Sequence, residues 1–358
     1  MKNKVLLLFW AGMLLLGLLS CSISGAPPQP AAGAQSVVRG SGRLAEETRP
    51  VSGIHAVNLA TIGELEIVFG EREELRVKAE DNLLPLFQST VSGGVLTIES
   101  AGPHGLEPAR PVKFFLTVKE LDSLEASSLG DIRVSEVETG SFTARLSSSG
   151  KVTMGALKAG KVNLVVSSLG SLELDRLEAG RLEVDISGSG SLGIKAGQVQ
   201  DLEARLTSLG SLAAGGLDMP EGSQGRLRVE LSGSGSLELG DLHAASASLS
   251  LGSIGEAVIE SLHAGSLLVQ VDGSGSLQIH SGKVSEQRVT LTSLGGYQAG
   301  KMECDRAEVK ITGSGSAEVH VSQYLKAELE NIGWLRYTGS PQVDQVVSGS
   351  GGVEQAAP

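Results

Sequence analysis

Arg181-Leu-Glu-Val-Asp-Ile-Ser-Gly-Ser-Gly190 carries the pattern on which the fold turns. Leu182, Val184 and Ile186 alternate with the charged Glu183 and Asp185. Alternation with period 2 marks a strand that buries one face. The Ser-Gly-Ser-Gly cluster then interrupts the strand. The same arrangement recurs along the chain. A glycine closes a short Ser/Gly cluster at Gly130, Gly150, Gly170, Gly190, Gly210, Gly235, Gly255, Gly275, Gly295, Gly315, Gly333 and Gly351. The interval is 20 residues, except 25 between Gly210 and Gly235 and 18 in the last two steps.

Two columns of this repeat predict an inside and an outside. Four residues before the glycine stand Ala126, Leu146, Val166, Ile186, Leu206, Leu231, Leu251, Val271, Leu291, Ile311, Leu329 and Val347, all apolar. Eight residues after it stand Glu138, Lys158, Glu178, Gln198, Asp218, His243, His263, Lys283, Glu303 and Gln323, all polar. Leu172 and Leu174 repeat the alternation beyond the glycine, and Asp175 to Gly180 reads as a turn. Each copy is therefore expected to run strand, tight glycine turn, strand, looser turn. The marker glycine points to a turn with φ > 0 or to a close approach that a Cβ forbids.

Units of 20 residues with one-sided apolar strands bury their faces only by stacking, which is the logic of a solenoid. Coils about 4.8 Å apart make twelve of them a rod of roughly 58 Å. Arg205 falls between Asp185 and Glu230 in successive copies, and opposite charges on adjacent strands favour this stacking. The residue before the marker alternates Leu129, Ser149, Leu169, Ser189, Leu209, Ser234, Ile254, Ser274, Leu294, Ser314, Ile332, Ser350. This 40-residue superperiod admits a 20-residue coil with large and small residues alternating along one column, or a 40-residue coil with two distinct corners. The 20-residue coil is favoured, because aliphatic side chains would leave the wider lumen underfilled. An antiparallel sandwich or meander is a third arrangement, since period 2 does not reveal strand direction. The excess around Gly215 to Gly225 reads as a tolerated loop.

Composition agrees with this reading. The 358 residues include 48 glycines, and aromatics are 3% against 41% hydrophobic, so the core is aliphatic. A net charge of −12 argues against a nucleic-acid partner. Lys2 and Lys4 precede an uncharged run from Val5 to Leu19, short for a membrane span and suited to an export signal. The run ends in Leu18-Leu19-Ser20-Cys21, which resembles the lipobox of bacterial lipoproteins. That resemblance implies cleavage after Ser20 and acylation of Cys21, hence a membrane partner through lipid. The residue after Cys21 is Ser22, not Asp, so outer-membrane sorting is expected in a Gram-negative cell. Removal of 1–20 takes away two lysines and leaves a side-chain charge of −14. Residues 21–40, with Pro27, Pro28 and Pro30, read as a tether. Residues 41–125 read as a strand-rich N-terminal cap with first coils, with strands at 63–69, 74–79, 95–98 and 112–118 and one helical turn within 82–87. Residues 126–355 hold the Gly/Ser-marked repeats.

Val51-Ser-Gly-Ile-His-Ala-Val57, Gly63-Glu-Leu-Glu-Ile-Val-Phe-Gly70, Gly94-Val-Leu-Thr-Ile98 and the SGSG units together resemble the head GIN domain of auto-transporter adhesins. The ending Gly333-Trp-Leu-Arg-Tyr-Thr-Gly-Ser-Pro341, followed by Val347-Ser-Gly-Ser-Gly351, is similar to that family's closing coil. The resemblance covers about residues 50 to 355. It implies an all-β, right-handed parallel β-helix of about twelve coils, a bacterial envelope location and no established catalytic residues. The chain departs from the family in its greater number of repeats and in bearing Ser, Glu, Lys or Trp after several markers where Asp is usual.

Chemistry-bearing constellations are sparse. No outward column keeps acids in three successive coils beside a base, so no catalytic residues are assigned and the carbohydrate-active enzyme is the rival reading. His243 and His263 share an outward position one coil apart, but two imidazoles without a third ligand make a poor zinc site, and no metal site is assigned. His280 and His320 are further apart. The glycine clusters lack the Asp of calcium-binding rolls and the helix of phosphate loops, and no cofactor is expected. Cys304 reads as a structural thiol. Aromatics gather late, at Tyr297, Tyr324, Trp334 and Tyr337. Trp334 and Tyr324 are the candidates for a sugar- or peptide-binding patch, against end-cap packing. The expected role is a non-enzymatic envelope lipoprotein, adhesin-like or structural, taking a polysaccharide or an envelope protein. An envelope-stress or signalling accessory that binds another protein is a further alternative. Cys21→Ala is expected to block lipid attachment. Detergent-phase partitioning checks this: wild type should enter the detergent phase and the variant should not.

Overall fold

The computed structural model describes residues 37–102, 105–222 and 224–356; Cys21 and the apolar run before it lie outside the described residues. Ser171–Ile186 forms one 16-residue run of β-structure, parallel to Lys151–Val166 on one side and to Ser191–Leu206 on the other. Leu182 faces Val162 and Leu202, so the register is one 20-residue repeat. The coil is therefore 20 residues, not 40, and the repeats are parallel, not a sandwich. About twelve turns stack in this way into an all-β solenoid.

The interior follows the alternation. Leu172, Leu174, Leu177, Leu182, Val184 and Ile186 are all buried. Glu173, Glu183 and Asp185 between them are partly exposed, and Asp175 and Glu178 are exposed. The column four before the marker is buried in the first eleven copies. It emerges at Val347, 41% exposed, because among the described residues no strand pairs with the far side of Gln342–Gly349. The polar column eight after the marker is nowhere buried.

Two expectations about the turns are corrected. Asp175 to Gly180 is not a turn and stays within the strand. The ladder skips only Asp175 and Gly180, one residue at each corner. Successive coils bend at the same place, so one residue out of register suffices. Each coil then has three sides, such as 171–174, 176–179 and 181–186, closed by a four-residue turn at 187–190.

The marker glycines, second, do not have positive φ. Their requirement is close approach. A Cβ on Gly170 would lie 2.5 Å from Gly150 O and 2.6 Å from Ser148 O. One on Gly190 would lie 2.8 Å from Val166 Cγ1 and 2.9 Å from Ser168 O. The turn of each coil sits so tightly on the one before it that backbone packs on backbone.

The N-terminal segment closes the first coil. Ala56–Ala60 and Glu64–Phe69 pair in parallel with Ser123–Ala126 and the start of Asp131–Leu146. Antiparallel pairs then cover them: Leu44–Arg49 with Glu74–Glu80, Glu74–Glu80 with Lys113–Val118, and Phe87–Ser92 with Val95–Ser100. The expected helical turn is a 3-10 turn at Leu84–Leu86. Larger residues fill this end, and Phe87 meets Phe114 edge to face at 5.6 Å. The fully buried Glu80 carboxylate accepts hydrogen bonds from the backbone N–H groups of Gly42, Ala109 and Arg110, which ties the first strands to the loop before Lys113. Val37–Arg39, at the end of the expected tether, pairs with Gly105–Glu107.

Urea unfolding of single variants tests this packing. Val184→Asp places an unpaired charge in the stack and should lower stability by several kcal/mol. Glu183→Gln, on the wet side of the same strand, should change it by less than about 1 kcal/mol. Gly190→Val should cost at least about 1–3 kcal/mol, because backbone must shift to admit it, and Ser189→Ala next to it should be nearly silent.

Candidate functional site

The third side of each coil presents three outward residues, one, three and five positions past its corner, and the first two line a groove. Parallel register lines them up along the rod. One row reads Arg181, Asp201, Arg226, Ser246, Ser266, Glu286, Arg306, Tyr324. The other reads Glu183, Glu203, Arg228, Ser248, Leu268, Arg288, Glu308, Lys326. Together they form a shallow groove parallel to the stack.

Ion pairs lace both ends of this groove. Arg181 Nε bonds Glu183 at 2.7 Å and its Nη2 bonds Glu203 at 2.9 Å. Lys161 adds a 3.1 Å pair to Glu183. At the other end Arg288 Nε donates to Glu308 at 2.8 Å, and Lys326 Nζ reaches Glu308 at 3.1 Å and Glu328 at 2.7 Å. Arg205, expected to bridge its neighbours, bonds Glu230 at 3.2 Å, with Asp185 beside it in register.

Between the two ends the charges stop. Ser246, Ser248, Ser266 and Leu268 floor a hollow of about 530 Å³, rimmed by Arg288, Arg306, Glu286, Glu308, Lys326 and Tyr324. That volume suits a ligand of several rings. Leu268 is 44% exposed there, an apolar surface among hydroxyls and guanidiniums. A second hollow of about 260 Å³ lies along the same groove between Arg181 and Ser248.

The charged groups of the groove are poorly suited to proton transfer. Hydrogen bonds from Lys326 and Arg288 hold the Glu308 carboxyl below the usual carboxylate range. Glu328 and Glu308 push the Lys326 ammonium above the usual lysine range. A general acid or base needs a pKa moved toward neutrality, and these move away from it.

The other singled-out residues fall in separate places. Trp334 is 53% exposed on the first side of its coil, paired with Ser316. Tyr324 lies on the third side, paired with Arg306, and lines the groove. The two candidate aromatics therefore belong to different faces. Tyr337 is partly buried against the core. Tyr297 is fully buried and donates to Gln287 Oε1 at 2.9 Å, and burial pushes its phenol up. Cys304 is a free buried thiol, pushed up to about 11 by burial, with Arg306 O as acceptor for its S–H at 2.9 Å.

His243 and His263 stack with centroids 4.4 Å apart and planes 6° from parallel. Asp241 stands beside them, 3.7 Å from His243 Nε2, a third group that the sequence reading did not include. Parallel rings aim their in-plane lone pairs side by side, so as placed they do not converge on one ion. The insertion holds the His243 strand: His243 N donates to Met219 O and Ala245 N to Gly225 O. His280 bonds Glu260 at 3.2 Å and His320 bonds Thr338 at 2.9 Å.

The columns just before the marker and eight after it do not line the groove, and of its lining only Tyr324 stands out in the sequence. The groove's signal was the loss of charge at Ser246, Ser248, Ser266 and Leu268 in two columns otherwise dominated by charged residues. Glu308 should titrate below an ordinary glutamate in an NMR titration of its carboxyl. Its stabilising pairs are then intact above the unfolded-state pKa and lost only as pH falls through the lowered folded one. Lys326→Met should move that titration part of the way back, with Arg288 retaining the rest.

The profile of the family described as "Putative auto-transporter adhesin, head GIN domain" matches residues 55–224, 170–261 and 227–341. No curated protein matches the chain. Among solved structures, a putative adhesin from Parabacteroides merdae is 20% identical, with 90% of this chain and 100% of that one covered and a TM-score of 0.31. A putative lipid binding protein from Parabacteroides distasonis is 18% identical over the same shares, with a TM-score of 0.33. A putative adhesin from Bacteroides fragilis is 15% identical, covering 89% and 100%, with a TM-score of 0.31. With the family profile matched across most of the solenoid, the chain belongs to the family of auto-transporter adhesin head GIN domains.

Proposed function

We propose that the chain is a non-enzymatic binding module of the bacterial cell envelope, anchored by lipid on Cys21, whose groove takes an extended polysaccharide. The observation that carries this reading is the break in the ion-pair rows. At Ser246, Ser248, Ser266 and Leu268 the groove offers hydroxyls and one apolar surface, with Tyr324 and Arg288 at the rim. Hydroxyls and guanidiniums match the hydroxyls and carboxylates of a glycan, and an aromatic edge matches the apolar face of a sugar ring. The groove runs along the rod, so a polymer lying in it spans the serine and leucine floor and reaches the charged and aromatic rim of the next coils. Family membership supports a surface role, and a leader ending in Leu18-Leu19-Ser20-Cys21 supports the lipid anchor. Outer-membrane placement follows the Ser after Cys21 where the cell is Gram-negative.

The rival reading, a polysaccharide lyase or hydrolase, is disfavoured by the pairing of Glu308 and Lys326. Lys326 and Arg288 hold Glu308 ionised, and Glu328 and Glu308 hold Lys326 protonated, which withholds the neutral base and the protonated acid such chemistry needs.

Glycan-array screening followed by calorimetry tests the proposal. Binding of an acidic polysaccharide is expected without any turnover. Arg288→Ala and Tyr324→Ala should each weaken it by roughly tenfold, about 1.4 kcal/mol, while Trp334→Ala leaves it unchanged. Release of unsaturated or reducing ends would replace this reading with the enzyme.

A further inference from the structure

The turn that closes each coil carries the most exposed aliphatic side chains of the solenoid. Leu129, Leu169, Leu209, Ile254 and Leu294 are 64–70% exposed and Ile332 is 54%. They stand at the same turn position in every second coil, with Ser149, Ser189, Ser234, Ser274, Ser314 and Ser350 in the coils between. Backbone packing of successive marker glycines stacks these turns into one edge of the rod. In a chain of which 20% is charged, the four-residue turns hold only two charged residues, Asp272 and Glu330. Water-facing aliphatics at this density mark a contact surface.

We propose that this edge pairs with the same edge of a second copy of the chain, antiparallel, about a two-fold axis between the coils of Ser234 and Ile254. The alternation makes the edge self-complementary in one register. The series begins with a large residue, ends with a small one and has twelve members. When two full-length edges run antiparallel, every large residue therefore faces a serine. Leu129 meets Ser350, Leu169 meets Ser314, Leu209 meets Ser274, and Ile254, Leu294 and Ile332 meet Ser234, Ser189 and Ser149. Each aliphatic enters the gap above a serine, and the two sparse rows merge into one with a side chain about every 4.8 Å. A parallel pair would set large against large at six places and leave voids at the other six. Such an isologous contact is closed and does not propagate into fibres.

Charge and area agree with this occupant. Two-fold symmetry sets the column five before the marker against itself, in reverse order. Arg145 then faces Glu328, and no two like charges face each other in that column. The column after the marker likewise brings no two charges together: Asp131 faces Gly352, Lys151 faces Trp334 and Glu256 faces Ser236. Asp272, facing Thr207, already accepts a hydrogen bond from Thr292 at 3.0 Å. Six aliphatic side chains of on the order of 100 Å² each give about 600 Å² per partner before the serines are counted, close to the roughly 800 Å² per side of a stable complex.

Cross-linking of the full-length chain in its native envelope tests the pairing. Ser234 lies one coil from its own symmetry mate, whereas Ser149 lies nine coils, roughly 43 Å, from its mate. With a short bis-maleimide, S234C is expected to give at least ten times more covalent dimer than S149C or wild type, which share the buried Cys304 as background while lipid occupies the Cys21 sulfur. Mixed S149C and I332C chains, whose positions face each other, should link. L209K/L294K should abolish the S234C dimer while leaving the melting temperature unchanged, since both side chains are in water in the single chain. Equal linking of S149C and S234C would mean a parallel or random contact, and no linking of S234C would mean no pair; either overturns the proposal. An environment-sensitive dye on L209C that shifts with neutral phosphatidylcholine vesicles, with S234C silent, would assign the edge to a lipid surface instead.

Discussion

Stacking of backbone on backbone at the glycine turn is the constraint on which the rest of the molecule depends. Parallel coils must rise by one strand spacing per turn, and the four-residue turn has to make that rise without swinging outward. It does so by setting nearly every marker glycine against the carbonyl of the one before, Gly333 meeting Ile311 and Gly313 O instead. A side chain there would wedge two coils apart and open every ladder bond around the circuit. The aliphatic interior follows from the same spacing. Leu, Val and Ile fill a lumen bounded by three short sides, whereas rings gather where the regular stack is capped or altered, at Phe87 and Phe114 and at Tyr297.

Once the coils are in register, surface chemistry becomes a matter of columns. A residue type repeated every 20 positions becomes a row of neighbours one strand apart. Opposite charges in a row zip together, as Arg288, Glu308 and Lys326 do, and each pair holds its members ionised. This is a stabilising use of charge and leaves little for proton transfer. The hollow over Ser246, Ser248, Ser266 and Leu268 exists because these rows lose their charges for two coils. The turn edge does the opposite. It excludes charge almost entirely and offers aliphatics, so the groove and the edge suit different partners, one polar and extended, the other apolar and regular.

Strand existence, the inward set Leu182, Val184 and Ile186, the 20-residue unit and the apolar column were legible in the chain, except that the column's last member, Val347, emerges where the stack ends. They follow from local alternation and from a repeat that returns each residue to the same environment. Four features depended on the assembled stack. Corners at Asp175 and Gly180 need only one residue out of the ladder, because neighbouring coils bend with them, so no turn sequence announces them. The glycine requirement comes from a carbonyl one coil away and not from its own φ. The groove joins side chains from eight coils. His263 joins His243 and its strand neighbour Asp241 only through lateral pairing. Each of these is a contact between residues about 20 or more positions apart, and its geometry is decided by strand spacing and register, which a single strand's pattern does not contain.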